Sequence, residues 1–184
     1  MITTSAKDSK MPKKDMRKLS TPDEGQIVLH LKRANEVAKL ALANGFHPFG
    51  AILVAPDHRT VLLEQGNLNQ IRHAESELAQ QAFNKFSPAE LWECTIYSTV
   101  EPCAMCSGAQ YWANIGRLVY GVSETELLKM TGANSENPTM DVPSRYVFEH
   151  SQKQIEVIGP VAAVRSKNDP VNKLTEGPLS LPIG

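Results

Sequence analysis

Four residues of the 184-residue chain have types and spacing that suit metal chemistry: His73, Glu75, Cys103 and Cys106. One imidazole and two thiolates form a ligand set that zinc accepts in tetrahedral geometry. Three protein ligands leave the fourth position open to water or hydroxide, which is typical of a catalytic zinc site. We therefore predict one Zn²⁺ per chain, bound by His73, Cys103 and Cys106.

Glu75 follows the predicted imidazole ligand by two residues. A carboxylate beside an activated water can take its proton and return it to a leaving group. Cys103 and Cys106 are three residues apart, so on a helix they share one face and can hold one ion. The sequence predicts Glu75 as the catalytic acid and base.

Two other interpretations of the cysteines stay open at this point. A Cys-x-x-Cys pair that begins a helix is also typical of thiol redox sites. A structural zinc site would need a fourth ligand, and Cys94 is the only other thiol. Neither interpretation accounts for His73 and Glu75 at a second helix start, or for Pro102 ahead of Cys103.

The apolar pattern predicts helices alternating with buried strands, which implies a sheet covered by helices on both faces. Thr21 and Pro22 have the residue types of an N-cap and a first helical residue. Both predicted ligand groups fall where a helix begins, and the unpaired N–H groups there favour thiolates. The predicted order is a helix ending at 44–45, strands 49–55 and 60–64, helix 73–86, strand 94–100, helix 103–114, strand 117–122, helix 123–130 and strand 155–161.

The length suits one domain, which we place at residues 23–163. Residues 1–22 lack an apolar period and are predicted to be a flexible polar leader, and residues 164–184 an irregular tail. No apolar run approaches the roughly 18 residues needed to cross a bilayer, and the polar start is no secretory signal. These features predict a cytoplasmic protein without a membrane partner.

The charge distribution argues against a nucleic-acid partner. The net charge is −1, with 19 basic and 20 acidic residues. Six basic and two acidic residues lie in 1–20, so the remainder is acidic. A domain that binds a polyanion usually shows the opposite balance.

Histidines outside the predicted metal site have no partner motif. We expect His30, His58 and His150 on the surface and His47 in a loop. Cys94, at the start of a strand, is expected to be a small buried apolar residue.

The order His-x-Glu followed by Pro-Cys-x-x-Cys is the signature of zinc-dependent deaminases. Over about residues 25–162 the chain resembles the cytidine deaminase-like superfamily, in its branch of guanine deaminases, other free-base deaminases and tRNA adenosine deaminases. The resemblance rests on motifs at 47–51, Asn67, 73–75, 97–109 and 111–113. It implies a three-layer α/β/α sandwich around a five-stranded mixed sheet, and a homodimer.

The resemblance also implies substrate contacts. Asn67 is similar to an asparagine that binds the base edge, Phe49 to an aromatic pocket wall, and Trp112 to a tryptophan of guanine deaminases. Other interpretations remain: a turn residue for Asn67, core packing for Phe49, and core or subunit packing for Trp112. Residues 131–134 lack the Gly-Phe-Asp-Asp of guanine deaminases, in which an acid reads the base.

The resulting prediction is a zinc-dependent hydrolytic deaminase of a free nucleobase, nucleoside or related amino-heterocycle, releasing ammonia. The alternatives are a tRNA-specific adenosine deaminase and, from another class, a non-catalytic zinc-binding module.

Overall fold

The computed structural model describes residues 19–132 and 138–164. Within them a five-stranded sheet has the order β2-β1-β3-β4-β5. The β1–β2 and β1–β3 pairs are antiparallel, and the β3–β4 and β4–β5 pairs are parallel, so the sheet is mixed. The elements are α1 (Glu24–Ala43), β1 (Gly50–Val54), β2 (Val61–Gly66), α2 (Ala74–Lys85), α3 (Pro88–Glu93), β3 (Thr95–Val100), α4 (Ala104–Trp112), β4 (Arg117–Val122), α5 (Glu124–Thr131), α6 (Ser144–Glu149), β5 (Glu156–Ile158) and a 3₁₀ turn, Ala162–Val164.

Two helical layers cover the sheet. Helix α1 packs against β1, β2, β3 and β4, whereas α2 packs against β1, β2 and α4. Because side chains alternate along a strand, Ile52 and Tyr97 belong to the core under α1, and Leu53 and Ile96 to the core under α2 and α4. This arrangement confirms the predicted three-layer α/β/α sandwich with a five-stranded mixed sheet.

Helix α1 begins two residues later than the sequence indicates. Asp23 is the N-cap, and its side chain and that of Gln26 form a reciprocal capping box. The prediction of Thr21 as the cap was wrong because Asp23 has a suitable partner three residues on. The close approach of α1 to β1 requires Gly50, since a Cβ there would lie 2.5 Å from the carbonyl oxygen of Ala34.

The predicted leader is shorter than 1–22. Residues 1–18 lie outside the described residues, but Leu19 packs against the core. The Ser20 carbonyl accepts a hydrogen bond from Arg117 Nη2 at 2.6 Å, and its hydroxyl lies 2.9 Å from His58 Nε2. Tertiary contacts of residues 19 and 20 therefore extend the domain towards the N-terminus. At the other end, residues 165–184 of the predicted tail lie outside the described residues.

Three further differences concern the helices and the last strand. Helix α3 was not predicted, although Ser87 and Glu90 form a capping box around its start. Helix α6 was not predicted either, because six residues are too few to show a helical period. Strand β5 spans only Glu156–Ile158, which pair with β4 at the edge of the sheet, so it is shorter than the predicted 155–161. No helix of the described ranges has both the length and the apolar character needed to cross a bilayer.

Candidate metal centre and active site

The three predicted metal ligands lie together at the carboxyl end of β3. His73 Nδ1 is 3.7 Å from Cys103 Sγ and 3.5 Å from Cys106 Sγ, and the two sulfur atoms are 3.7 Å apart. A tetrahedral zinc ion with bonds of about 2.3 Å to sulfur and about 2.0 Å to nitrogen separates two sulfurs by about 3.8 Å, and sulfur from nitrogen by about 3.5 Å. The residues therefore fit three corners of a tetrahedral zinc site.

Two helix starts position these ligands. His73 is the N-cap of α2 and Cys103 the N-cap of α4, and neither side chain caps its own helix. Both side chains are therefore available to an ion. The adjoining N–H groups carry partial positive charge, which favours the thiolate form of the ligand. The His73 ring also bonds the backbone carbonyl of Gln70, an outer contact that orients imidazole ligands.

The pKa values of the two thiols in the cluster shift in opposite directions. Hydrogen bonding with Cys106 and with His73 lowers the pKa of the Cys103 thiol well below its usual range. The same hydrogen bond to Cys103, together with burial, raises the pKa of Cys106. The bond to Cys103 also raises the pKa of His73. A divalent cation would favour the deprotonated form of all three groups.

Cys94 does not join this cluster. It caps the C-terminal end of α3, next to the first residue of β3, whereas Cys103 follows the other end of that strand. Six strand residues span about 20 Å, so Cys94 cannot be a fourth ligand. Burial raises the pKa of the Cys94 thiol to about 11, and its Sγ lies 3.3 Å from the Glu90 carbonyl oxygen. The expectation of a buried small residue is confirmed.

Glu75 lies beside the cluster in the first turn of α2. Its side chain is buried, and its Oε1 accepts a hydrogen bond of 2.6 Å from the hydroxyl of Ser98. Burial raises the pKa of Glu75, and the Ser98 hydroxyl opposes this shift. Ser98 was not predicted as a site residue, although strand alternation puts it on the same face as Ile96, towards α2.

A cavity of about 260 Å³ opens onto Glu75 and two of the ligands. His47 lies in the loop between α1 and β1, as expected, and its buried side chain lines the cavity. Phe49 also lines it and meets the His47 ring edge-on, at 6.0 Å between centroids. The lining residues are His47, Phe49, Gln70, His73, Glu75, Val100, Glu101, Cys103, Met105, Glu124, Leu127, Pro138, Thr139 and Met140.

Asn67 is held close to this region by backbone bonding. Its N–H donates to the Phe49 carbonyl at 2.9 Å, and its Nδ2 donates to the Asn69 carbonyl at 3.3 Å. Its Oδ1 is buried and accepts no hydrogen bond from the described residues. A buried amide oxygen without a donor is costly. Asn67 is not among the residues that line the cavity, so its contact with a ligand N–H stays a prediction.

Trp112 lies away from the cavity. Its side chain is 76% exposed, at the last residue of α4. Nine residues separate it from Cys103, which on a helix means about half a turn of rotation and about 13 Å of rise. Trp112 is therefore not among the residues that line this cavity, and its exposure excludes packing in the core of this chain. Contact with a substrate or with a second subunit stays a prediction.

Two glutamates that were not predicted as site residues, Glu101 and Glu124, also line the cavity. Glu101 directly follows β3. Its Oε1 accepts bonds from the backbone and hydroxyl of Ser144, and its Oε2 accepts one from the N–H of Glu124. Burial, followed by the charge of Cys103, raises the pKa of Glu124 to about 8. An acid directly after β4 is a usable signal, since β3 and β4 are parallel and end at one edge.

Two histidines expected on the surface are buried instead. His30 Nε2 lies 2.9 Å from the carbonyl oxygen of His58, and the His30 ring lies 4.9 Å from that of Tyr97. Contacts between distant segments cover these side chains, which no local pattern indicates. Both lie outside the cavity lining.

Residues 26–155 match the MafB19-like deaminase family. The chain belongs to this family and, with it, to the cytidine deaminase-like superfamily.

Individual relatives agree with this assignment. The chain is 36% identical over 145 residues to a probable cytosine deaminase of Schizosaccharomyces pombe, covering 77% of this chain and 88% of that protein. It is 36% identical over 99 residues to a tRNA-specific adenosine deaminase of Haemophilus influenzae, covering 51% of this chain and 57% of that one. A solved structure of a guanine deaminase from Nitrosomonas europaea has the same fold, with a TM-score of 0.58 at 18% identity, covering 86% and 85% of the two chains.

Proposed function

We propose that the protein is a zinc-dependent hydrolytic deaminase of a free nucleobase, nucleoside or related amino-heterocycle, and that it acts in the cytoplasm as a homodimer. The observation that carries this proposal is the tetrahedral spacing of His73, Cys103 and Cys106 beside the buried carboxyl of Glu75. When bound, zinc would supply Lewis-acid activation of water at neutral pH. The other roles fall to side chains of this chain.

Glu75 is the group that moves protons. The Ser98 hydroxyl holds Oε1, so we assign proton transfer to Oε2. That oxygen takes a proton from the attacking water and delivers it to the amine, which leaves as ammonia. The hydroxyl left on the ring carbon passes its proton to the neighbouring ring nitrogen, and the carbon becomes a carbonyl. Burial keeps bulk water from exchanging with these protons. Phe49 would pack against the heterocycle, and Asn67 Oδ1 would accept a hydrogen bond from its edge.

A small substrate agrees with the cavity and the charge. A volume of about 260 Å³ is slightly below the roughly 300–1,000 Å³ of sites for drug-sized ligands. The acidic balance outside residues 1–20 opposes binding of a polyanion. The S. pombe relative, named for a free base, is matched over 88% of its length and supports the same class.

A tRNA adenosine deaminase is the second candidate, favoured by the 36% identity to the H. influenzae protein. An RNA editor needs a phosphate-binding surface beyond the base pocket. Inosine formed in a tRNA anticodon stem-loop, with no ammonia released from free bases, would establish this candidate instead.

The proposal is tested by ammonia release from a panel of bases and nucleosides, with metal content measured on the same preparation. We expect one zinc per chain, and a Glu75→Gln variant that keeps zinc and loses activity by at least about 100-fold. Glu77→Gln is the matched control, because Glu77 lies on the same helix but pairs with Arg72. Full turnover by Glu75→Gln would refute the mechanism. Zinc without turnover of any substrate would favour the non-catalytic module.

A further inference from the structure

Glu124 is a buried cavity residue whose carboxyl has no hydrogen-bond donor among the residues that the structure describes. It is the first residue of α5, and its N–H is fixed by Glu101 Oε2 at 3.0 Å. Its side chain lines the cavity and is only 3% exposed. Within the described part of the chain, no group donates a hydrogen bond to its carboxyl oxygens.

Such a group is expensive to bury. An unpaired carboxyl in a protein interior costs several kcal/mol, so buried acids normally have hydrogen-bond donors or cations beside them. The groups that influence Glu124 most are Cys103, Glu75 and Glu101, all of which carry negative charge when ionised. A hydrogen-bond donor for the Glu124 carboxyl must therefore come from outside the described residues.

The other cavity glutamates are already engaged. Ser98 holds Glu75, whose second oxygen is assigned to proton transfer. Both oxygens of Glu101 accept bonds from the starts of α5 and α6. Among the carboxyls that line the cavity, Glu124 is the one with its full acceptor capacity left for a ligand.

We propose that Glu124 is a specificity-determining residue, whose carboxyl accepts a hydrogen bond from a ring N–H of the substrate. This inference rests on the proposed function and narrows its substrate class to the free base. In a free pyrimidine or purine base, the nitrogen that would carry a sugar bears a hydrogen. Glycosylation or methylation of that nitrogen removes the donor and leaves the Glu124 carboxyl buried against carbon.

The test compares each free base with its analogue methylated at the sugar-bearing nitrogen, for example cytosine with 1-methylcytosine. We expect the zinc-loaded wild-type protein to prefer the free base by about 10- to 100-fold in kcat/KM, the usual cost of leaving a buried acceptor without its hydrogen-bond donor. Glu124→Met, which removes both acceptor oxygens at similar volume, should lose most of this preference by losing activity on the free base, mainly through KM. Activity on the methylated analogue should change less than about threefold.

Glu149→Met is the matched control, because Glu149 is exposed on α6. Equal losses on both substrates would show a merely structural role and overturn the inference, as would unchanged discrimination in Glu124→Met. Failure of the wild-type protein to release ammonia from any base or nucleoside would contradict the proposed function itself, whereas release from nucleosides but not from free bases would overturn only the inference. The two failures are thus distinguishable.

Discussion

The Ser98→Ala substitution deletes one oxygen atom and, with it, the hydrogen bond from Ser98 to Glu75. Ser98 lies within β3, where its neighbours across the sheet are Ala51 and Tyr120. The strand is held by backbone bonds that alanine leaves in place, and no bulk is added. The substitution therefore acts on Glu75 more than on the fold.

The expected loss follows from the geometry of that bond. At 2.6 Å it has the length of a charge-assisted O–H···O⁻ bond, and both side chains are buried, so water does not screen it. Hydrogen bonds to charged groups contribute about 1.5–3 kcal/mol. If this energy orients the carboxyl in the transition state, kcat/KM falls by about 10- to 100-fold.

The pH profile gives a second readout that a structural defect would not produce. Glu75 must be ionised to take a proton, so activity is lost as the pH falls through its pKa. The Ser98 hydroxyl lowers that pKa, so its removal should shift the acidic limb of kcat/KM to higher pH.

The assay is ammonia release from the best base of the panel across pH 4.5–9 (roughly), with zinc content measured in parallel. Ser151→Ala is the control, since that hydroxyl lies within 2.9 Å of the backbone carbonyl oxygens of Phe148 and Lys153 and does not line the cavity. Ser98→Ala with full zinc, unchanged kcat/KM and an unmoved acidic limb would refute the role assigned to this bond.

Three predictions concern stability. Glu101→Ala leaves the buried starts of α5 and α6 without their acceptor, and urea unfolding should show a loss of about 3 kcal/mol. Arg117→Met breaks the buried ion pair between Arg117 and Glu156. Because Glu156 is 39% exposed and can rehydrate, we expect the free energy of unfolding to fall by about 3 kcal/mol, the low end for such pairs. An unchanged melting temperature would contradict this expectation. Burial lowers the pKa of His58, so the unfolded chain binds a proton first and stability is lost as the pH falls below about 6.5; His58→Gln should flatten that limb in thermal melts at pH 5–7 (roughly).

The sequence alone predicted those parts of the site whose chemistry depends on residue type and on short spacing. His73, Cys103 and Cys106 were predicted from their ligand types and from their place at helix starts, and the structure brings them together. Strand β4 was predicted with the observed bounds because it is a continuous buried run. Helices α3 and α6 were missed because six residues show no period.

What the sequence by itself determined is the kind of chemistry: a zinc ligand set, a carboxylate two residues away, and alternating elements that form a covered sheet. Only the tertiary structure decided what surrounds that chemistry. Ser98 meets Glu75 across 23 residues of chain, and Glu124 faces the same cavity from the end of β4. Such partners are set by the order of strands in the sheet and by which face each side chain occupies. Local spacing in the sequence predicts neither the strand order nor the face, because contacts between distant segments form only when the layers pack.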